Sequence, residues 1–186
     1  MFVHDIGEGL ELFILEEKHA EELYALTDSN RVHLRQWLPW VDATRSPEDS
    51  KSFIKAGLQQ LASGNGFHAG IRYHGKLAGV IGFPKFDHNN RIAIIGYWLG
   101  KEYTGKGIMT KSCAAMIDYA FNDVGMNRVE IYCATDNLKS RAIPERLGFK
   151  QEGIIRDAEW LYDHYVDGVI YGMLARDRAE KDRDTG

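Results

Sequence analysis

The run Ile92-Ala-Ile-Ile-Gly-Tyr-Trp-Leu-Gly-Lys-Glu-Tyr-Thr-Gly-Lys-Gly-Ile-Met-Thr110 changes character at its centre. Its first part, to about Leu99, is a continuous series of apolar, β-forming residues, the pattern of a buried strand. A polar turn follows and leads into Gly105-Lys106-Gly107. From Ile108 the apolar positions take helical spacing, with Ile108, Cys113, Ala114, Met116, Ile117, Ala120 and Phe121 on one side. A strand, a glycine turn and a helix start make an anion site. The first N–H groups of the helix lack partners within it, and the helix dipole adds positive charge there. Glycines at 105 and 107 carry no Cβ, so a phosphate can come close to the backbone. The stretch reads as the phosphate cradle of a nucleotide-bearing cofactor.

Working outward, the segments before it read as follows. Leu10–Leu15 is a first strand, and Glu16–Asn30 a helix with Ala20, Leu23, Tyr24 and Leu26 at helical spacing. Pro39 stops any helix through Arg31–Trp40. Trp37 and Trp40, with arginines close by, either wall a substrate pocket or close the core. Ser46-Pro47 starts a further helix, with Phe53, Ile54, Leu58 and Leu61 as its buried stripe. Phe67–Tyr73 and Leu77–Phe83 form a hairpin, Pro84–Asn90 is a polar turn, and the strand from Ile92 makes three antiparallel strands ahead of the glycine turn. Beyond the helix come a strand at Val129–Ala134, a helix with Ile143 and Leu147 inward, and strands at Gln151–Trp160 and Tyr165–Leu174. From Arg176 the charged tail is a helix end or frayed terminus. Helices interleaved with a sheet that is antiparallel first and changes direction after the glycine helix imply an α+β or α/β fold, α+β with α/β layering, with residues 1–186 as one domain.

Composition narrows the function. A net charge of −4 argues against a nucleic-acid partner. No apolar run has the length of a membrane span and the start is not a signal peptide, so a cytoplasmic protein is expected. Cys113 and Cys133 are too few for a disulfide scaffold, and neither they nor His68, His74, His88 and His164 have metal-ligand spacing, so no metal is expected. Gly100–Lys106 matches a nucleotide-triphosphate loop through its lysine, but Gly107 stands where a magnesium-holding Ser or Thr is required. A dinucleotide fingerprint fails on spacing.

A second segment, Asp136-Asn-Leu-Lys-Ser-Arg-Ala-Ile-Pro-Glu-Arg-Leu-Gly-Phe149, lies one strand later. Together with Gly96–Leu99 and Gly105–Ile108, it resembles the GNAT superfamily of acetyl-CoA-dependent N-acetyltransferases over nearly the whole chain. Ala93–Trp98, Cys133–Ser140 and Ala158–Leu161 are most similar to the ribosomal-protein N-acetyltransferases, which modify an N-terminal amine. The resemblance implies a mixed, mostly antiparallel central sheet flanked by helices, acetyl-CoA as cosubstrate, and a homodimer. It also implies residue roles. Backbone groups of Tyr97, Trp98 and Leu99 pair with the pantetheine arm, and the N–H groups of Gly105, Lys106, Gly107 and Ile108 hold the pyrophosphate. Asn137 hydrogen-bonds the pantetheine, Ser140 protonates the leaving thiolate, and Glu159 takes or orients the proton of the attacking amine. Apart from the resemblance, Trp37, Trp40 and the Trp160–Tyr165 turn, with Trp160, are read as walls of the acceptor pocket.

Each role has a plainer structural counterpart. Asn137 and Ser140 suit a helix cap, Cys133 a small core residue and Glu159 a solvated acid. Two positions depart from the superfamily pattern. Glu102 replaces a Gln or Arg beside the phosphates and must point away from them, and Ile94 replaces a strand glutamate, which makes Glu159 the better base. The expected function is acetyl transfer by direct attack in a ternary complex, the acceptor being the N-terminus of a ribosomal protein. The alternatives are a small-amine acetyltransferase, for a polyamine or antibiotic, and an inactive acyl-CoA-binding module.

Overall fold

The computed structural model describes residues 3–184, with side chains to residue 179. Met1, Phe2, Thr185 and Gly186 of the expected single domain lie outside the described residues. Eight strands form one sheet in the order β1-β2-β3-β4-β5-β6-β8-β7. They are β1 (Val3–Gly7), β2 (Leu10–Ile14), β3 (Phe67–Tyr73), β4 (Lys76–Asp87), β5 (Ile92–Leu99), β6 (Arg128–Ala134), β7 (Lys150–Leu161) and β8 (His164–Leu174). All neighbours pair antiparallel except β5 and β6. The helices are α1 (Ala20–Ser29), α2 (Arg31–Arg35), α3 (Pro47–Ala62), α4 (Ile108–Asp118), α5 (Leu138–Leu147) and α6 (Ala175–Asp184). The expected mixed, mostly antiparallel sheet with flanking helices is the one found.

The parallel pair sets up the site. β5 and β6 are in register only from Ile92 opposite Arg128 to Ile95 opposite Ile131. Beyond that point β5 runs on to Leu99 against β4, and β6 runs on to Ala134 against β8. The two strands therefore part, and beyond Ile95 this edge of β5 has no strand partner among the described residues. Alternation of side chains divides β5 between the two faces of the sheet. Gly96 and Trp98 face α1 and α3, in common with Val80, whereas Tyr97 reaches α5 on the other face.

Burial explains which elements hold firm. Phe13, Ile71, Ile81, Phe83, Ile95, Ile117, Ile131, Val129, Val169 and Tyr171 are nearly or fully sealed from solvent. Helix α4 buries Ile108, Met109, Cys113, Met116 and Ile117 and continues as a π-helical turn, Tyr119–Asp123, that buries Ala120. The cap of α3 is reciprocal: Ser46 and Asp49 form a capping box, with Pro47 at the first helical position.

Four expectations change. Strand β1 precedes the expected first strand; its five residues are mostly exposed, so it has little apolar signal to read. The segment 84–87 is not turn but the end of β4; Pro84 falls in an irregularity between Gly82 and Lys85, where a missing N–H is tolerated. Of the expected α3 stripe, Ile54 is buried, but Phe53 and Leu61 are 38% and 39% exposed, because Ser50, Ile54 and Gly57 make the inner face. The segment Glu17–His19 is a 3₁₀ turn ahead of α1, closed by the Glu16 N–H donating to His19 Nδ1 at 2.9 Å.

Candidate active site

Gly105 and Gly107 have φ of +76° and +73°, a region that suits glycine, and Gly107 is the N-cap of α4. No side chain caps this helix. Among the described residues, the N–H groups of Gly105, Lys106, Gly107 and Ile108 have no protein acceptor. Ideal Cβ atoms built on Gly105 and Gly107 would meet nothing within 4 Å, so the loop faces open space. Lys106 Nζ sits 5.9 Å and 5.8 Å from the rings of Tyr73 and Tyr103. Glu102 is exposed in the 3₁₀ turn Lys101–Tyr103; burial, then this carboxylate, push the neighbouring Tyr103 phenol up. The four amides and the helix start have the geometry of a diphosphate cradle.

The free edge of β5 continues from the cradle. The Gly100 N–H donates to the Ala78 carbonyl, which fixes the parity of the β4–β5 ladder. Trp98 spends its backbone groups on β4, while Tyr97 and Leu99 direct theirs toward the parted β6. Only the latter two of the three expected residues offer main-chain groups to an added strand. The Leu99 carbonyl already has a neighbour, His33 Nε2 at 3.2 Å, and burial lowers the pKa of that imidazole.

At the inner end of the cleft, Tyr97, Cys133 and Ser140 converge. The Tyr97 hydroxyl donates to the Ser140 carbonyl at 3.0 Å, Ser140 Oγ donates to Tyr97 Oη at 3.5 Å, and Cys133 Sγ lies 3.3 Å from Ser140 Oγ. Burial pushes the Tyr97 phenol and the Cys133 thiol up, so both stay protonated at neutral pH. Pro144 explains why the Ser140 carbonyl is available: it has no N–H to close the helical bond four residues back. The helix cap is Asn137, whose Oδ1 accepts from the Ser140 N–H at 3.3 Å, and not Ser140. Asn137 is thus bound through its carbonyl oxygen, and its amide nitrogen takes no part in the cap.

The opposite face of β5 walls a cavity of about 330 Å³ beneath α1, α3 and the segment after α2. Trp40 and Trp98 line it with ring centroids 5.7 Å apart. Trp37 and Trp160 are outside its lining. Trp160 is 51% exposed and packs edge-on against Tyr165 at 4.8 Å. Glu159 is paired with Val166 and Trp160 with Tyr165, so the side chains of Glu159 and Trp160 leave opposite faces of the β7–β8 hairpin. Glu159 is exposed on one side, yet its carboxyl is desolvated enough to raise its pKa. The hairpin is tied over the cavity by Tyr162, whose hydroxyl bonds the carbonyl of Leu38 and accepts the Val41 N–H at 3.2 Å. Arg35 stacks on the Tyr162 ring at 3.8 Å. The described residues contain no cluster of three or more potential metal ligands, and no helix among them is long and apolar enough to cross a membrane.

Sequence reasoning missed the side chain of Tyr97; it placed the turn holding Tyr162 at the acceptor pocket without the hydroxyl tie to Leu38, and read His68 as a surface or packing residue, whereas it lines the cavity. Pro144 four residues after Ser140 was the one local signal for the first.

A family model described as an acetyltransferase (GNAT) domain matches residues 10–150. The chain belongs to the GNAT acetyltransferases. It is 40% identical over 178 residues to YdaF of Bacillus subtilis (strain 168), provisionally named a ribosomal N-acetyltransferase, covering 95% of this chain and 97% of that one. A solved structure of RimL, the ribosomal L7/L12 α-N-protein acetyltransferase with coenzyme A disulfide-linked to a cysteine, superposes with a TM-score of 0.91 at 28% identity, covering 95% and 99% of the two chains. The microcin C7 self-immunity acetyltransferase MccE, solved with acetyl-CoA and AMP, superposes with a TM-score of 0.87 at 35% identity, covering 91% and 94%. As a GNAT member the chain is an acyltransferase that uses acetyl-CoA, and it is close to the ribosomal-protein acetyltransferases.

Proposed function

We propose that this GNAT enzyme acetylates the N-terminal α-amine of a protein, in the ribosomal-protein class, by direct attack in a ternary complex. The observation that carries the reading is the division of β5. One edge and the cradle at Gly105–Ile108 suit acetyl-CoA, while the other face walls a cavity that can receive an acceptor. The two substrates then meet across one strand, which is what a direct attack requires.

In this reading, the amides of Gly105, Lys106, Gly107 and Ile108 bind the diphosphate. Tyr97 and Leu99 pair with the pantetheine arm, and the free amide nitrogen of Asn137 donates to it. The acceptor nitrogen forms a bond to the thioester carbonyl carbon, and the C–S bond breaks. Glu159 accepts the amine proton, its raised pKa bringing it nearer the amine's range. Ser140 Oγ donates a proton to the leaving thiolate, in contact with Tyr97. An α-amine, with a pKa near ~8 against ~10.4 for lysine, needs only one such modest base.

The same cavity argues against a polyamine. Its lining holds a single acid, Asp49, whose Oδ2 is committed to the start of α3 through the Arg45 and Ser46 N–H groups. The likeness to MccE favours a second reading, a small amine of the antibiotic class. The setting we propose is the cytoplasm, with residues 1–186 as one domain. We also propose a homodimer, for which the edge strand β7 offers exposed Ile154 and Ile155.

The test is mass spectrometry of protein N-termini in cells with and without the enzyme, paired with acetyl-CoA-dependent thiol release on peptides and small amines. Loss of acetylation at a ribosomal-protein N-terminus, with turnover of the matching peptide, supports the reading. Turnover restricted to small amines overturns it.

A further inference from the structure

We infer that the cavity between α1, α3 and β5 is a side-chain pocket selecting an acceptor whose first residue is bulky and apolar, such as Leu, Met or Phe, over one beginning with Ser or Ala. This rests on the proposed N-terminal reading and names the substrate class of the same site.

The argument begins with the wall. Leu23, Leu38, Trp40, Phe53, Val80 and Trp98 supply its large apolar side chains. The polar residues there are largely spent. Thr27 Oγ1 donates to the Leu23 carbonyl at 3.0 Å, and Asp49 Oδ2 holds the start of α3. His68 lies against the Phe53 ring at 4.9 Å, and burial keeps its imidazole neutral at pH 7. No Lys or Arg lines the cavity.

Size points the same way. A volume of about 330 Å³ corresponds to about ten water molecules at ~30 Å³ each. A serine hydroxymethyl would displace few of these waters and would bring a hydroxyl into a mostly apolar wall. A Leu or Phe side chain fits within it, would displace several of these waters and bury its own surface in return.

Position completes the case. Gly96, Tyr97 and Trp98 all line the cavity, and the main-chain groups of Tyr97 and Leu99 are directed toward the parted β6. An amine presented at β5 has its Cα one bond away, so the first side chain of the acceptor points into this space.

Gly96 offers a way to fill it. A Cβ added there meets only Pro84, at 3.4 Å, and its φ is outside the left-handed region. The experiment measures kcat/KM for hexapeptides identical except for Ser, Ala, Met, Leu or Phe at position 1, with the wild type, Gly96→Ala and Gly96→Val. Coenzyme A binding by each variant reports that the fold and the cofactor site are intact. The expected result is at least about a tenfold advantage for Met, Leu or Phe over Ser, shrinking stepwise from Gly96→Ala to Gly96→Val. Equal or better turnover of the Ser and Ala peptides by the wild type overturns the inference and leaves the N-terminal reading standing. Turnover of small amines with none of the five peptides overturns both.

Discussion

The hydroxyl of Tyr97 donates to the carbonyl of Ser140, the group that Pro144 leaves without its helical donor. A buried tyrosine on β5 thereby completes the backbone of α5 and ties the two elements together. Tyr97→Phe leaves that carbonyl unpaired, at a cost of about 1–2 kcal/mol. The Pro144→Ala change restores a helical N–H to the same carbonyl. The expected outcome is that Tyr97→Phe destabilises the wild-type background more than the Pro144→Ala background, by about 1 kcal/mol in a double-mutant cycle. Urea denaturation of the four proteins measures it, and strict additivity would show that the two residues do not share the carbonyl.

Tyr162 forms a second tie, across 124 positions of sequence, to Leu38. Leu38 and Trp40 line the cavity, so this bond holds one wall of it against the β7–β8 hairpin. Tyr162→Phe keeps the ring under Arg35 and removes only the hydroxyl. Two hydrogen bonds are lost, each worth about 0.5–1.5 kcal/mol. KM for the acceptor should rise about three- to tenfold while KM for acetyl-CoA stays constant. Steady-state kinetics with each substrate varied in turn separates the two, and a matched rise in both would assign Tyr162 to the fold at large.

These two contacts mark the limit of what the sequence discloses. The cradle was legible because strand, glycine turn and helix start are consecutive, and local chemistry dictates their order. Asn137 was legible as a cap for the same reason. The division of β5 was not, since it depends on where β5 and β6 stop pairing, and that is decided by strands far apart in the chain. Trp37 and Trp160 illustrate the cost. Tryptophan near a proline or a turn signals a buried surface, but alternation in the β7–β8 hairpin sends Trp160 and Glu159 to opposite faces. Trp98, read only for its backbone, supplies the aromatic wall opposite Trp40.

The cradle itself yields a prediction with two readouts. Gly107 has φ of +73°, and a Cβ there meets no atom within 4 Å. Gly107→Ala is therefore penalised by backbone strain and not by collision, at about 1–2 kcal/mol. The melting temperature should fall by a few degrees. The added methyl also stands where a phosphate would approach, so coenzyme A affinity should drop about tenfold or more by calorimetry. Unchanged affinity with a lowered melting temperature would remove the loop from cofactor binding.

Glu159 allows the proton chemistry to be checked by sign. Desolvation raises its pKa above the ordinary glutamate value, near 4.3. A base must be ionised to work, so activity should fall with decreasing pH through that raised value. The acceptor α-amine adds a separate limb, with a pKa of about 7.7–8. In Glu159→Gln the lower limb should vanish and the upper one remain, with kcat reduced by about a hundredfold. Stability should move the other way. A carboxyl with a folded pKa above its unfolded one favours the folded state when protonated, and that contribution is lost as pH rises through the folded value. At pH 7.5 the ionised carboxylate therefore weighs against folding, and Glu159→Gln should melt slightly higher than the wild type. At pH 4 the two should melt alike. A variant that loses activity while melting lower at pH 7.5 would assign Glu159 to the architecture of the hairpin, whereas loss of activity with a gain in stability is the behaviour expected of a base held in a desolvated position for its chemistry.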